Sequence, residues 1–137
     1  MDPRGRAMAR SISHEMHAGF QELRKFLPCH FLARYKRFPI PPEAQADIAR
    51  VLSIWKECRR QFGKKGRFLF GNFSIADAMF APVVFRFLAY GVKVDEVSRR
   101  YMKAVESLPA SRQWVREAAR EKGRIPAYEF SGEEQKF

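Results

Sequence analysis

The chain has 137 residues, enough for one domain with a sizeable core, and its 46% hydrophobic content, with thirteen Phe and two Trp, excludes a disordered chain. A net charge of +11 raises the question of an anionic partner, and the excess is concentrated early: residues 1–67 carry 15 Lys/Arg against 6 Asp/Glu, and residues 68–137 carry 11 against 9. Either the first half meets a polyanion or it rests on an acidic surface that lies outside this sequence. Cys29 and Cys58 make neither a zinc pattern nor a disulfide framework, and the opening MDPRGRAMAR has no apolar leader segment. The expectation from these features is a cytoplasmic protein.

Asp2-Pro3 is a strong helix start, an acceptor at the N-cap followed by a residue whose missing N–H is not needed. Met8, Ile12, Met16, Phe20, Leu23 and Leu27 then recur at steps of four and three, which predicts one continuous helix ending at Pro28. Its opposite face carries Ser11, His14, Glu15, Ala18 and Glu22, a set that suits contact with another domain or subunit, or plain solvation.

Residues 28–42 contain four prolines and form a connector. Within it Arg34-Tyr35-Lys36-Arg37-Phe38 interleaves bases and aromatics as a single-strand binder does. The competing reading, a charged loop whose aromatics fold back onto the core, is favoured because stacking platforms come as several spaced aromatics on a rigid surface. A second helix is predicted over about 42–62, with Ile48, Val51, Leu52, Trp55, Cys58 and Phe62 on one face and Gly63 as its cap. Cys58 in that stripe reads as a small hydrophobe rather than a nucleophile.

The stretch FLFGNFSIADAMFAPVVFRFLAY, residues 68–90, organises the rest. Ser74 and Asp77 are spaced as a capping box, in which each side chain satisfies the backbone N–H of the other residue. The helix behind them has no polar stripe, which predicts burial on every side, with a kink at Pro82 and an end at Gly91. Asp77, Pro82 and Arg86 make it too short and too interrupted for a membrane span. Asp95 caps a fourth helix with Val97, Tyr101, Ala104, Val105 and Leu108 inward, and Pro109 opens a fifth carrying Trp114 and Ala118 that stops near Gly123. Residues 124–137 read as a loose tail. The expected fold is therefore all-α: a five-helix bundle, residues 1–123, around a central buried helix.

Metal chemistry is poorly served. His14 and His17 share a helix face, but Cys29 and His30 lie roughly 20 Å further along, too far for one tetrahedral site. No Ser-His-Asp grouping, phosphate-cradling glycine loop or carboxylate pair stands out, so no catalytic residue is assigned.

The order F-L-F-G-x-F-S-x-A-D-A, an apolar run, an Arg and Tyr-Gly resembles the central helix of the C-terminal all-helical domain of cytosolic glutathione S-transferases. The EMHAGF and SIADAMFAPV segments resemble bacterial members, and the likeness extends from about Pro3 to about Ile125. The resemblance implies that Ser74 and Asp77 are a structural helix cap, and that Ser11, His14 and Glu15 face a substrate pocket, a second subunit or an adjoining domain. In that family an N-terminal thioredoxin-like domain binds glutathione and activates its thiol, while the helical domain shapes the electrophile pocket and much of the dimer contact. MDPRGRAMARSISHEMHAGF resembles the interdomain linker running into the first helix of that domain, so the thioredoxin-like domain is expected to be absent from this sequence.

The implied function is the pocket and dimerisation domain of a glutathione transferase. Glutathione would be co-substrate only where the first domain is supplied, and the chain alone would bind no cofactor and be inactive. The alternative is a non-catalytic basic helical module that docks a protein or RNA partner. Nucleic acid is the less expected of those partners, and no membrane is expected.

Overall fold

Asp2 begins the chain's architecture as its sequence position suggests: its carboxylate accepts from the Gly5 N–H at 2.8 Å and opens α1 (Pro3–Ala18). The computed structural model describes residues 2–35, 37–123 and 125. The expected tail, residues 124–137, lies outside them apart from Ile125. The described elements are α1, α2 (Gln21–Phe26), α3 (Pro42–Gln61), a single 3-10 turn (Gly63–Lys65), α4 (Ile75–Ala89), α5 (Glu96–Glu106) and α6 (Pro109–Ala118). The fold is all-α, with six helices in place of the five expected.

The additional helix comes from a break inside the first apolar stripe. Gly19 leaves the helix in extended backbone, and a Cβ there would sit 2.7 Å from the Glu15 carbonyl oxygen. Phe20 then takes a left-handed φ of 58°, which turns the chain while keeping its ring in the core. Side chains and a neighbouring helix satisfy the groups this exposes. The Arg24 guanidinium donates back to the Met16 and His17 carbonyls, Gln21 to Ala18, and the Asp47 carboxylate on α3 accepts from the Leu23 N–H at 2.9 Å. Of the inward set, Ile12, Met16, Phe20, Leu23 and Leu27 are buried as the period predicts, and Met8 is half-buried.

α1 packs chiefly on α4, α2 on α3, and α3 and α4 both on α5. Trp55 of α3 lies where they meet, its ring 4.9 Å from Tyr101, 5.4 Å from Phe87 and 6.0 Å from Phe80. Around it α3 buries Ala44 and Ile54 as well as the expected Ile48, Val51 and Cys58, while Leu52 and Phe62 are only half-buried. In α5 Ser98 and Met102 are buried in addition to Tyr101, Ala104 and Val105, and Val97 and Leu108 are half-buried. The connector aromatics fold inward: Tyr35 stacks on Tyr90 at 4.9 Å, Phe38 meets Tyr90 edge-on at 4.7 Å, and the Tyr35 N–H donates to the Ala89 carbonyl.

α4 runs unbroken through Pro82. It ends in a Schellman pattern, with Gly91 at φ 60° and the Val92 N–H donating to the Phe87 carbonyl. Its start is fixed by Asp77, which is fully buried. The capping box with Ser74 is formed; one carboxylate oxygen accepts from the Ser74 N–H at 2.8 Å and the Ser74 hydroxyl at 2.9 Å, and the other from the Leu69 N–H at 3.0 Å. The preceding turn is held by Arg59, whose Nη1 donates to the carbonyls of Gly63, Gly66 and Phe68. The helix is not buried on every side as expected. Ile75 is 77% exposed and Ala78 is also exposed, while Ala76 and Asp77 between them are buried, so the first turn is covered on one side only.

Two outcomes follow for stability. Asp77→Ala leaves two buried or half-buried N–H groups without their acceptor and should lower the urea unfolding free energy by about 3 kcal/mol; a loss below about 1 kcal/mol would show that the carboxylate is dispensable. At Asp95, burial alone would raise the carboxyl, but bonds from the Ser98 N–H and hydroxyl, the Lys56 charge and the Val97 N–H outweigh it and hold the group below its ordinary 3.8. That contribution is complete above the unfolded-state value and is lost as pH falls through the lower folded value. Asp95→Asn should therefore flatten the acid limb of a stability-against-pH curve.

Candidate functional site

The exposed first turn of α4 and one side of α1 enclose a groove of about 570 Å³. Its apolar lining comes from Ala9, Ile75, Ala76 and Met79, and its polar lining from Arg6, Arg10, Ser13, His14, His17 and Ser74. Phe73, 49% exposed, adjoins it in the chain. The volume and the mainly apolar lining with a few polar groups are those of a small-molecule or docking site.

The geometry follows from α1's period. Residues 6, 10, 14 and 17 fall on one side of the helix, next to the stripe that packs inward, and the span from Arg6 to His17 is roughly 16 Å. Among the described residues, no carboxylate forms an ion pair with Arg6, Arg10, His14 or His17. The nearby acids are engaged elsewhere: Glu15 binds Arg50 of α3 through both oxygens, at 2.7 and 2.9 Å, and Asp47 caps α2. Neither hydroxyl in the groove is poised as a nucleophile. Ser13 donates to the Ala9 carbonyl at 2.7 Å, and Ser74 donates to Asp77.

The three residues singled out from sequence are therefore not brought to one site. His14 lines the groove, Glu15 is turned to α3, and Ser11 is exposed on the crown of the helix between them. Ser74 and Asp77 form the expected cap, and Ser74 also contributes to the groove wall. Sequence reasoning missed Arg6, Ala9, Arg10, Ser13, Ile75 and Met79. A signal was present in the 4-4-3 spacing of the groove's basic residues, since the one acid a turn away, Asp2 before Arg6, is committed to the Gly5 N–H as the N-cap.

The thiols are not activated. Burial, followed by the charges of Glu57 and Asp77, pushes Cys58 up to about 12, in keeping with its place in the core. Burial also raises Cys29 against the opposing charge of Arg86, and its Sγ–H points at the Pro82 carbonyl at 3.7 Å. Burial first, and then the Asp77 charge, carries the Tyr101 phenol well above its ordinary value. Among the described residues, no three His, Cys, Asp or Glu side chains gather to hold a metal ion, and His30 lies instead beside Tyr35 and Tyr90. Also among them, no helix is long and apolar enough to cross a membrane. A second hollow, about 470 Å³, lies between Asp2 and Arg4 of α1's start and Arg60, Gln61, Phe62 and Lys64, with Phe62 the one apolar side chain in its lining.

A family model described as the glutathione S-transferase C-terminal domain matches residues 41–117, more than half of the chain. The match includes the α4 wall of the groove; α1 lies before it. No curated protein matches the chain.

The contrast between the two sides of α4 can be measured. Ile75→Ser should change the unfolding free energy by less than about 0.5 kcal/mol, whereas Phe80→Ala, in the fully buried ring cluster, should cost about 3–5 kcal/mol. Equal losses in urea titrations would mean that Ile75 is not a surface residue.

Proposed function

Because the chain belongs to the glutathione S-transferase C-terminal domain family, we propose that it is the helical half of a glutathione-transfer protein, with the α1–α4 groove as the face on which a second domain or subunit closes. The observation that carries this reading is Ile75, an isoleucine 77% exposed in the first turn of the most apolar helix in the chain, beside the half-exposed Phe73. Ile75 borders a groove with a mainly apolar lining, and contiguous apolar surface of that kind marks an interface.

In this arrangement a thioredoxin-like domain binds glutathione and takes up the proton of its thiol, leaving the glutathione thiolate as nucleophile. Its sulfur forms a bond to the electrophilic carbon, and the leaving group departs with the bonding electrons. The helices contribute the apolar surface on which that domain closes and from which water is excluded, through Ile75, Met79 and Ala9. The cysteines of this chain take no part, since Cys58 is a buried neutral thiol and Cys29 is held against Pro82.

The test is a fusion in which a glutathione-binding thioredoxin-like domain is placed ahead of residue 1, assayed with 1-chloro-2,4-dinitrobenzene. The fusion should release chloride and form the conjugate, the 137-residue chain alone should not, and Ile75→Asp in the fusion should lower kcat/KM about tenfold. A folded fusion that binds glutathione yet transfers none, or turnover by the chain alone, would overturn the reading.

A further inference from the structure

The groove also carries information about the chemistry of what covers it. Its basic side chains, two arginines and two histidines, are not collected at one end, as the head group of a single small anion would require. Arg6, Arg10, His14 and His17 instead run along one wall at steps of four, four and three, over roughly 16 Å, which is three turns of helix. Beside that row lies an apolar strip made by Ala9, Ile75, Ala76 and Met79. A charged row beside an apolar strip, both at helical spacing, complements an amphipathic helix with carboxylates at the same intervals bordering its apolar face.

From this juxtaposition we infer that the α1–α4 groove docks an acidic amphipathic helix of a partner, about three turns long. Its apolar side chains lie on Ile75, Met79 and Ala9, and its carboxylates lie along Arg6, Arg10, His14 and His17. The inference rests on the reading of this groove as a docking face and specifies the element that occupies it. It also accounts for part of the basic surplus of the first half: two arginines without an ion-pair partner among the described residues face the groove, while Arg50 on the α3 side is already paired with Glu15.

The experiment uses the full chain and a fluorescein-labelled, hydrocarbon-stapled helical peptide of about 14 residues, with a Leu stripe bordered by four Glu, followed by fluorescence anisotropy. A second peptide has Gln in place of every Glu. The Glu peptide should bind at least about tenfold more tightly than the Gln peptide, and the difference should shrink between about 0.05 and 0.5 M salt. The double variant Arg6→Glu/Arg10→Glu should lose that preference, and Ile75→Asp should weaken both peptides. All three positions are exposed, and circular dichroism of each variant confirms that a loss is one of binding.

Equal binding of the two peptides, or indifference to both variants, would overturn the inference. So would displacement of the peptide by dodecanoate at comparable affinity, which would make this a small-amphiphile pocket. Concentration-dependent dimerisation of the chain in sedimentation, abolished by Ile75→Asp and insensitive to salt, would overturn it in favour of a second copy as the occupant. An active fusion with no peptide preference would sink only this inference, and peptide binding with an inactive fusion would sink only the enzymatic reading.

Discussion

One buried carboxylate sets the frame. Asp77 has no solvent contact, yet it lies where α4 begins and where the extended segment before it must be fixed, and its two oxygens serve both tasks. A charge placed there is tolerable because it accepts three hydrogen bonds and sits at the positive end of a helix. With α4 so anchored, Phe80, Val83, Val84 and Phe87 fall into the core beside Trp55 and Tyr101. Arg59 does the complementary work for the turn, because one nitrogen donates to the carbonyls of Gly63, Gly66 and Phe68, the first and last of which also accept from the N–H groups of Gly66 and Gly71. The turn is tight enough that a Cβ on Gly66 would meet the Gly71 carbonyl oxygen at 2.1 Å, so glycine is required there.

The same anchoring produces the exposed apolar surface. The cap fixes the helix start with one side of its first turn packed and the other open. Ala76 and Asp77 face inward and Ile75 faces out. Alongside it, α1 presents its cations because the stripe next to them is committed to the core and its carboxylate neighbour Glu15 is committed to Arg50. The groove is thus a product of the fold's own geometry, and its pairing of apolar strip with basic row is what connects the family assignment to a partner of definite chemistry.

Much of this was legible in the sequence where the cause is local. The N-caps at Asp2, Ser74 and Asp95, the helix stop at Gly91 and the inward stripes each depend on residues a few positions apart, and each is where the pattern puts it. The break at Gly19 and Phe20 was hidden because the steps from Met16 to Phe20 to Leu23 look the same whether or not the helix continues. Asp47 capping α2, Arg24 closing α1 and Arg86 reaching the Leu27 carbonyl at 2.8 Å join segments far apart in the chain, and spacing cannot show them. The site was half visible. Ser11, His14 and Glu15 do share an outward arc of α1, but an arc that wide faces α4 on one flank and α3 on the other, and only packing decides which residue meets which neighbour.

The left-handed Phe20 has a consequence for how the molecule opens. A non-glycine residue in that conformation is held at a cost of about 1–2 kcal/mol, here offset by burial of its ring. It also divides the first two helices between different supports, with α1 leaning on α4 and α2 on α3. α1 is held at its C-terminal end by the strained pivot and the bonds from Arg24 and Gln21, and along its length by packing on α4 and by the Glu15–Arg50 pair. Whatever covers the groove, walled by α1 and the first turn of α4, adds its binding free energy to the seam between those two helices, so assembly opposes opening there.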